Sequence, residues 1–313
     1  MSGGPGPAPG EFGLIRWIAS RTAAHARVPV GIGDDCAVLT LTPGAEVLVT
    51  TDMLMDGRHF QLDRDGPEAV GYKALGVNLS DIAAMAGRPV AAFVAVALPR
   101  ATAPEIACGL VEGMAPLAAA FDVALAGGDT NAWEGPLVVC ITILGEAVPP
   151  GPVRRSGARP GDLIYVTGPL GGSLLGRHLR PRPRIREAVA LHAAVPLRAM
   201  IDLSDGLASD LGHILEESGG LGAILDGARI PVHPDAERHA RQDGRSPLEH
   251  ALADGEDFEL CFTLAPDVEP PGGIEMHAVG TVTADPGIRL RQPDGRTGPL
   301  TVRGFDHLAR GAG

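Results

Sequence analysis

Residues 46–52 of the chain read E-V-L-V-T-T-D, a β-branched apolar run that ends on an acidic side chain. Such a run predicts a buried strand, because β-branched residues pack well on a pleated surface. Acidic residues stand beside glycines or at the ends of apolar runs in five further clusters: G-D-D at 33–35, N-L-S-D at 78–81, G-G-D-T at 127–130, D-L-S-D-G at 202–206 and D-G-E-D at 254–257. These positions are unusual for solvating charge, which normally lies on exposed helix faces.

Helices and strands are predicted to alternate in both halves of the chain. In the first half the predicted helices are residues 11–25, 67–86 and 104–121, and the predicted strands are 46–51, 91–98 and 137–145. In the second half the predicted strands are 163–167, 200–202, 258–264 and 276–282, and the predicted helices are 172–179, 184–194 and a third from Leu207. Ser204 or Asp205 would cap this third helix. The alternation is typical of an α/β or α+β fold in each half.

A proline- and glycine-rich stretch at 148–162 interrupts this periodicity and predicts a domain boundary. We expect a lead-in at residues 1–10, an N-terminal domain at 11–150 and a C-terminal domain at 151–313. A length of 313 residues suits two domains of ordinary size.

The composition argues against several classes of protein. A net charge of -12 disfavours general binding to nucleic acid or to anionic membranes. The four cysteines include no C-x-x-C pair, which argues against a zinc site and indicates a reduced, cytoplasmic protein. Neither a signal peptide nor an apolar run long enough to span a membrane is expected.

The single lysine, Lys73, restricts the possible phosphate chemistry. A phosphate-loop NTPase needs G-x-x-x-x-G-K-[ST], and a protein kinase needs its strand lysine with H-R-D and D-F-G, none of which is present. A protein with this sequence must therefore handle phosphates with metals, arginines and backbone amides.

The acidic clusters supply the oxygen ligands that Mg²⁺ prefers when it bridges a protein to phosphates. Each cluster alone has an ordinary structural explanation, since aspartate often caps a helix or bends a turn. Six of them in one chain favour metal and phosphate binding.

The order of these motifs resembles the thiamine-monophosphate kinase family. The matching stretches of the first half are residues 10–15, 31–39, 50–60, 72–89 and 127–130. Those of the second half are 155–173, 201–214, 251–263 and 304–307. The resemblance covers nearly the whole chain, with the motifs in order and correctly spaced.

This resemblance implies a fold shared with aminoimidazole ribonucleotide synthetase. An N-terminal α/β domain would form a homodimer through its sheet, and a C-terminal α+β domain would complete a cleft for ATP and several Mg²⁺ ions. The implied reaction is direct phosphoryl transfer from ATP to thiamine monophosphate, without a covalent intermediate and therefore without a catalytic nucleophile.

The resemblance also implies roles for individual residues. The implied metal ligands are Asp35, Thr50, Thr51, Asp52, Asp81, Asp129, Asp202 and Asp205. The implied ATP contacts are Gly128, Asp129, Arg155 and Ser204, and the implied contacts with thiamine monophosphate are His59, Glu256 and Phe305. The chain departs from the family pattern at Asp254, where glycine is common, and at Phe305, where tyrosine is frequent.

Two alternatives remain open from the residues. A related synthetase on the same fold would change the substrate, and a selenophosphate synthetase would need a reactive cysteine near its N-terminus, where Cys36 is the first cysteine here. A non-catalytic nucleotide- or metal-binding regulator would keep the fold and lose turnover.

Overall fold

The computed structural model describes residues 10–292 and 294–301. Most of the predicted lead-in, together with Phe305 and the 304–307 motif, lies outside the described residues. The chain divides into two compact units, the first ending at Ala147 and the second continuing from Val148 and including Ala83–Gly87. The domain boundary that the sequence predicts at residue 150 stays a prediction. No helix among the described residues is long and apolar enough to cross a membrane.

The first unit combines helices with a four-stranded sheet. Its elements are α1 Glu11–Arg21, β1 Val47–Met55, α2 Leu62–Ala84, β2 Gly87–Pro99, α3 Ala103–Ala120, β3 Ala124–Trp133 and β4 Val138–Ala147. The strand order is β1-β4-β2-β3, with β1 antiparallel to β4 and β2 parallel to β3. The chain is not helical at Gly66, so the long part of α2 begins at Pro67, as predicted.

Close packing of α2 on α3 depends on glycines. A Cβ added at Gly113 would lie 1.9 Å from the Glu68 carbonyl oxygen, and one at Gly71 would lie 2.1 Å from the Leu110 carbonyl oxygen. These separations are far below contact distance, so the two helix backbones meet where side chains are absent. This contact fixes the helix that carries Asp81.

The second unit is built on a seven-stranded sheet among its described residues. Its elements are β5 Leu163–Val166, α4 Ile185–Ala194, β6 Ala199–Asp202, α5 Leu207–Glu217, β7 Gly222–Asp226, α6 Pro234–Asp243, α7 Pro247–Ala253, β8 Leu260–Leu264, β9 His277–Thr283, β10 Gly287–Arg291 and β11 Thr297–Pro299. The strand order is β11-β10-β7-β9-β5-β8-β6. The predicted apolar stripe of α5 is buried in the core beside this sheet. Mixed helix and sheet in both units confirms the predicted fold class.

Three local predictions were wrong. Strand β1 does not end at Asp52 but continues to Met55, because it keeps pairing with β4. Residues 172–179 form two short 3₁₀ turns, Ser173–Leu175 and Arg177–Leu179, separated by Gly176. Neither Ser204 nor Asp205 caps α5, whose N-cap residue is Gly206.

The glycine contact predicts opposite effects for two glycine-to-alanine changes. Alanine favours a helix over glycine by about 1 kcal/mol, but in Gly113→Ala the overlap with Glu68 should outweigh this gain. We expect the free energy of unfolding to fall by about 1–3 kcal/mol in denaturant titrations. Gly212→Ala in α5 is the control, because an added Cβ there has no neighbour within 4 Å. Equal stability of the two variants would contradict the close packing of α2 on α3.

Candidate active site

A pair of crowded carboxylates lies between β1 and α2. Thr50 and Asp52 alternate along β1 and face the same side, and the Thr50 hydroxyl donates a hydrogen bond to Asp81 Oδ2. Burial, followed by repulsion from Asp81 and a hydrogen bond with it, raises the pKa of Asp52 to about 7. Ionising both of two carboxylates in such contact costs free energy, because their negative charges repel each other. A bound cation would relieve this repulsion, and oxygen donors of this kind suit Mg²⁺.

The side chain of Thr51 does not join this group. Successive side chains of a strand point to opposite faces, so Thr51 lies on the face away from Thr50 and Asp52. Its hydroxyl is 3.0 Å from Thr142 Oγ1 and 3.5 Å from Cys140 Sγ. Only the backbone of Thr51 is therefore placed to serve as a ligand beside Asp52.

A cavity of about 1050 Å³ in the first unit brings Asp35, Gly128 and Asp129 together. At Gly128 an added Cβ would lie 1.9 Å from the Val94 carbonyl oxygen, so glycine is required where β3 lies against β2. Asn131 donates a hydrogen bond of 2.8 Å to the Asp129 carboxylate. The cavity thus combines carboxylates with a bare stretch of backbone, which suits a metal-bound phosphate.

Sequence reasoning missed two residues of this cavity. Phe12 and Arg16, from α1, both line it. Phe12 is 72% exposed, although a large apolar side chain is normally covered. An aromatic ring can stack on a nucleotide base, and a guanidinium can bind an anion. Phe12 and Arg16 are four residues apart in α1, and this spacing is the signal from which the sequence could have placed them on one face of the helix.

The only lysine holds the loop that carries His59. Lys73 is fully buried, and its Nζ donates a 2.6 Å hydrogen bond to the His59 carbonyl oxygen. His59 Nδ1 accepts a hydrogen bond from the Met55 N–H at 3.0 Å. The neutral ring therefore carries its proton on Nε2.

A second acidic group lies at the end of β6 in the second unit. Burial, and then repulsion from Asp202 and Asp205, raises the pKa of Asp210 to about 8, against a hydrogen bond from the Asp205 N–H and the charge of Arg155. The structure thus brings together the predicted Asp202, Asp205 and Arg155. Asp210 was missed, although an acid on the apolar face of α5 beside Leu207 and Leu211 is an anomalous placement.

The 254–257 loop is fastened to the same strand end. The Glu256 N–H donates a 2.7 Å hydrogen bond to the Ser204 carbonyl oxygen, and the Phe258 N–H donates to that of Leu203. Glu256 has a φ of 52°, an uncommon conformation for a residue with a side chain. Backbone strain of this kind gathers at functional sites. Ser204 and Glu256, both predicted site residues, are therefore neighbours.

The other acids of this loop have different partners. Asp257 accepts hydrogen bonds from the Gly171 N–H at 2.9 Å and from Arg177 at 2.8 Å. Asp254 accepts one from the Gly172 N–H at 2.9 Å. Two backbone amides of the glycine-rich turn at 168–172 thus bind carboxylates of the 254–257 loop and hold it in place.

Comparison with known proteins places the chain in a family. Residues 33–147 match the family model of the AIR synthase related protein, N-terminal domain. The thiamine-monophosphate kinase of Rhodopirellula baltica is 40% identical over 95% of this chain and 97% of its own. The chain belongs to the thiamine-monophosphate kinase family.

Solved structures of thiamine-monophosphate kinases have the same fold. The enzyme from Stenotrophomonas maltophilia superposes with a TM-score of 0.77 at 32% identity, over 90% of this chain and 96% of that one. AaThiL complexed with AMPPCP and TMP gives 0.76 at 29% identity, over 95% of this chain and 97% of that one. These similarities confirm the aminoimidazole ribonucleotide synthetase-like fold that the motifs implied.

The raised pKa of Asp210 predicts a pH-dependent cost of folding. Asp210 keeps its proton in the folded protein up to about pH 8 but loses it near pH 4 when unfolded, so wild-type stability should fall as pH rises between these values. Asp210→Asn should remove this cost. Unfolding titrations in a chelator should give an advantage of Asp210→Asn over wild type that grows from pH 4 to pH 8.

The control for this comparison is Asp267→Asn, at an exposed carboxylate of the second unit. Its stability should follow that of wild type at every pH. An Asp210→Asn advantage that is constant with pH would show that Asp210 is ionised in the folded protein.

Proposed function

We propose that this chain transfers the γ-phosphoryl group of ATP to thiamine monophosphate, giving ADP and thiamine diphosphate. The observation that carries the proposal is the match with AaThiL, whose structure is complexed with AMPPCP, an ATP analogue, and TMP. The chain covers 97% of that protein, and the acidic groups described above lie on the motifs that define the resemblance.

The reaction joins two anions, so its main requirement is charge neutralisation and alignment. The acceptor phosphate already offers a nucleophilic oxygen, and no protein group has to form a covalent intermediate. Bound Mg²⁺ would supply positive charge beside the phosphates. The donor set fits this ion, since it consists of carboxylates and hydroxyls crowded enough to raise the pKa of Asp52.

We propose that each unit contributes ligands and substrate contacts. The metal ligands are Asp35, Asp52, Asp81, Asp129, Asp202 and Asp205, with the hydroxyl of Thr50 and the backbone of Thr51. Gly128, Asp129, Arg155 and Ser204 contact ATP, and His59 and Glu256 contact thiamine monophosphate. Phe305, the third proposed substrate contact, lies outside the described residues.

We also propose that the first unit forms a homodimer through β1. Four large apolar side chains alternate along the outer face of this strand with exposures of 41–64%: Val47, Val49, Met53 and Met55. An exposed apolar row of this kind, interrupted only by Thr51, is unfavourable in water. A second copy of the same row would cover it with two-fold symmetry.

The compartment we propose is the cytoplasm, where ATP is available. The four cysteines are free thiols, which supports a reducing environment.

The reaction is tested by measuring ADP formation with Mg²⁺ and ATP in the presence of thiamine monophosphate, free thiamine or no acceptor. We expect turnover with the monophosphate and thiamine diphosphate as the chromatographic product. The substrates of the related synthetases belong in the same panel. Binding of Mg-ATP at one equivalent without turnover on any acceptor would instead favour the regulator.

Matched variants connect that turnover to the carboxylates. Asp52→Asn and Asp129→Asn should each lower kcat/KM by about 100-fold or more while retaining the wild-type circular dichroism spectrum. Asp267→Asn, at an exposed carboxylate outside both groups, should turn over as wild type. Near-normal turnover of Asp52→Asn or Asp129→Asn would remove that residue from the ligand set.

The dimer is tested by placing a charge in the apolar row. Val49→Lys should shift the protein toward monomer in sedimentation equilibrium, because the ammonium would be desolvated at the interface. Val38→Lys introduces the same charge at a valine that is 49% exposed but lies outside β1, and it should leave the dimer intact. A monomeric wild type, or an unchanged Val49→Lys dimer, would contradict the interface.

A further inference from the structure

Two histidines and an aspartate converge on the helical hairpin of α6 and α7. His239 and Asp243 are four residues apart and so share one face of α6, while His250 faces them from α7. The ligand atoms that these three residues offer lie within 4.8 Å of one another. None of the three belongs to the reaction site proposed above.

Asp254 fixes the protonation of both rings. Its carboxylate lies 3.2 Å from His239 Nδ1 and 2.9 Å from His250 Nδ1. A carboxylate can only accept, so each Nδ1 carries a hydrogen and each Nε2 of a neutral ring carries a lone pair. In metal sites, the histidine nitrogen that does not bind the ion commonly donates its N–H to a carboxylate.

The lone pair of His250 faces the third ligand. His250 Nε2 lies 3.2 Å from Asp243 Oδ1, and the His250 side chain is fully buried. If the His250 ring is neutral in this tautomer, its Nε2 lone pair and the Asp243 carboxylate are two hydrogen-bond acceptors that face each other. A cation is therefore needed between them, either a second proton or a metal ion. The His239 ring stacks on that of His250, with centroids 4.3 Å apart, which disfavours placing a proton on both.

We propose that His239 Nε2, the Asp243 carboxylate and His250 Nε2 bind one divalent ion of the zinc type. Two imidazoles and one carboxylate suit Zn²⁺, whereas Mg²⁺ prefers oxygen donors. Ligand distances of about 2.0–2.2 Å place tetrahedral ligands ~3.4 Å apart, so the cluster must tighten and the His239 ring must turn out of its stack on His250 to point at the same ion. Asp243 and His239 can move, since their side chains are 34% and 22% exposed.

The bound ion would tie the hairpin to the 254–257 loop. Asp254 begins this loop and also accepts the Gly172 N–H and a 3.3 Å contact from Arg245. The carboxylate that orients both rings therefore also fastens the start of this loop. The site therefore stabilises the loop that carries Glu256, and its existence does not depend on which reaction the protein catalyses.

The test is calorimetric titration of the whole protein with Zn²⁺ in excess Mg²⁺, which occupies the acidic groups. We expect one Zn²⁺ per chain, and binding at least about 10-fold weaker in His239→Gln and in Asp243→Asn. Both positions are partly exposed, so these variants should fold. His213→Gln, at an exposed histidine of α5, is the matched control and should bind as wild type.

Thermal unfolding gives an independent measurement. Saturating Zn²⁺ should raise the melting temperature of wild type and His213→Gln by several degrees and leave that of His239→Gln unchanged. Wild-type protein that does not bind Zn²⁺ would show that a proton fills the site. Equal affinity and stoichiometry in wild type, His239→Gln and Asp243→Asn would place the ion elsewhere. Either result overturns the proposal.

Discussion

Repulsion between neighbouring carboxylates is the constraint on which the candidate site depends. Burial and the neighbouring Asp81 raise the pKa of Asp52 to about 7, and burial beside Asp202 and Asp205 raises the pKa of Asp210 to about 8. Such crowding costs stability unless a cation or a proton intervenes. The fold keeps two such groups, one in each unit, and a cation bound at either would relieve the crowding. The rigid α2–α3 contact and the buried α5 stripe hold the acids close enough for this to matter.

In the second unit, the carboxylates that support the 254–257 loop differ from the one that we propose as a substrate contact. Asp254 and Asp257 accept hydrogen bonds from the backbone amides of the glycine-rich turn. These hydrogen bonds hold the loop in which Glu256 has a positive φ. Two of the three acids in the sequence D-G-E-D, Asp254 and Asp257, therefore have a structural role, and the third, Glu256, is the proposed substrate contact. The extra acid at Asp254 does not add a ligand beside Glu256. It faces the two histidines of the α6–α7 hairpin.

The sequence predicted the long elements because their periodicity is strong, as in α2, whose Leu75, Leu79 and Ile82 are buried as expected. It also identified the acidic motifs, of which Thr50, Asp52 and Asp81 lie together in the first unit and Asp202 and Asp205 lie together in the second. Alternation along a strand places Thr51 on the face opposite Thr50 and Asp52, but the resemblance assigned all three residues to the metal. Asp210 and the His239–Asp243–His250 cluster were missed because their contacts depend on the turns that join β6 to α5 and α6 to α7, which periodicity does not specify. The absence of C-x-x-C pairs says nothing about histidine and aspartate ligands.

The single lysine, Lys73, bears on which groups could place positive charge beside phosphates. Many phosphate-binding proteins place an ammonium against the transferred group. Here Lys73 is fully buried and donates to the His59 carbonyl oxygen, so its charge positions a loop. In the proposed reaction, positive charge beside the phosphates would then come from guanidinium groups such as Arg155 and from ions bound by the crowded acids. The burial of Lys73 and the acidic clusters are therefore consistent with each other, since bound metal ions would take the place of a phosphate-binding lysine and the carboxylates would hold them.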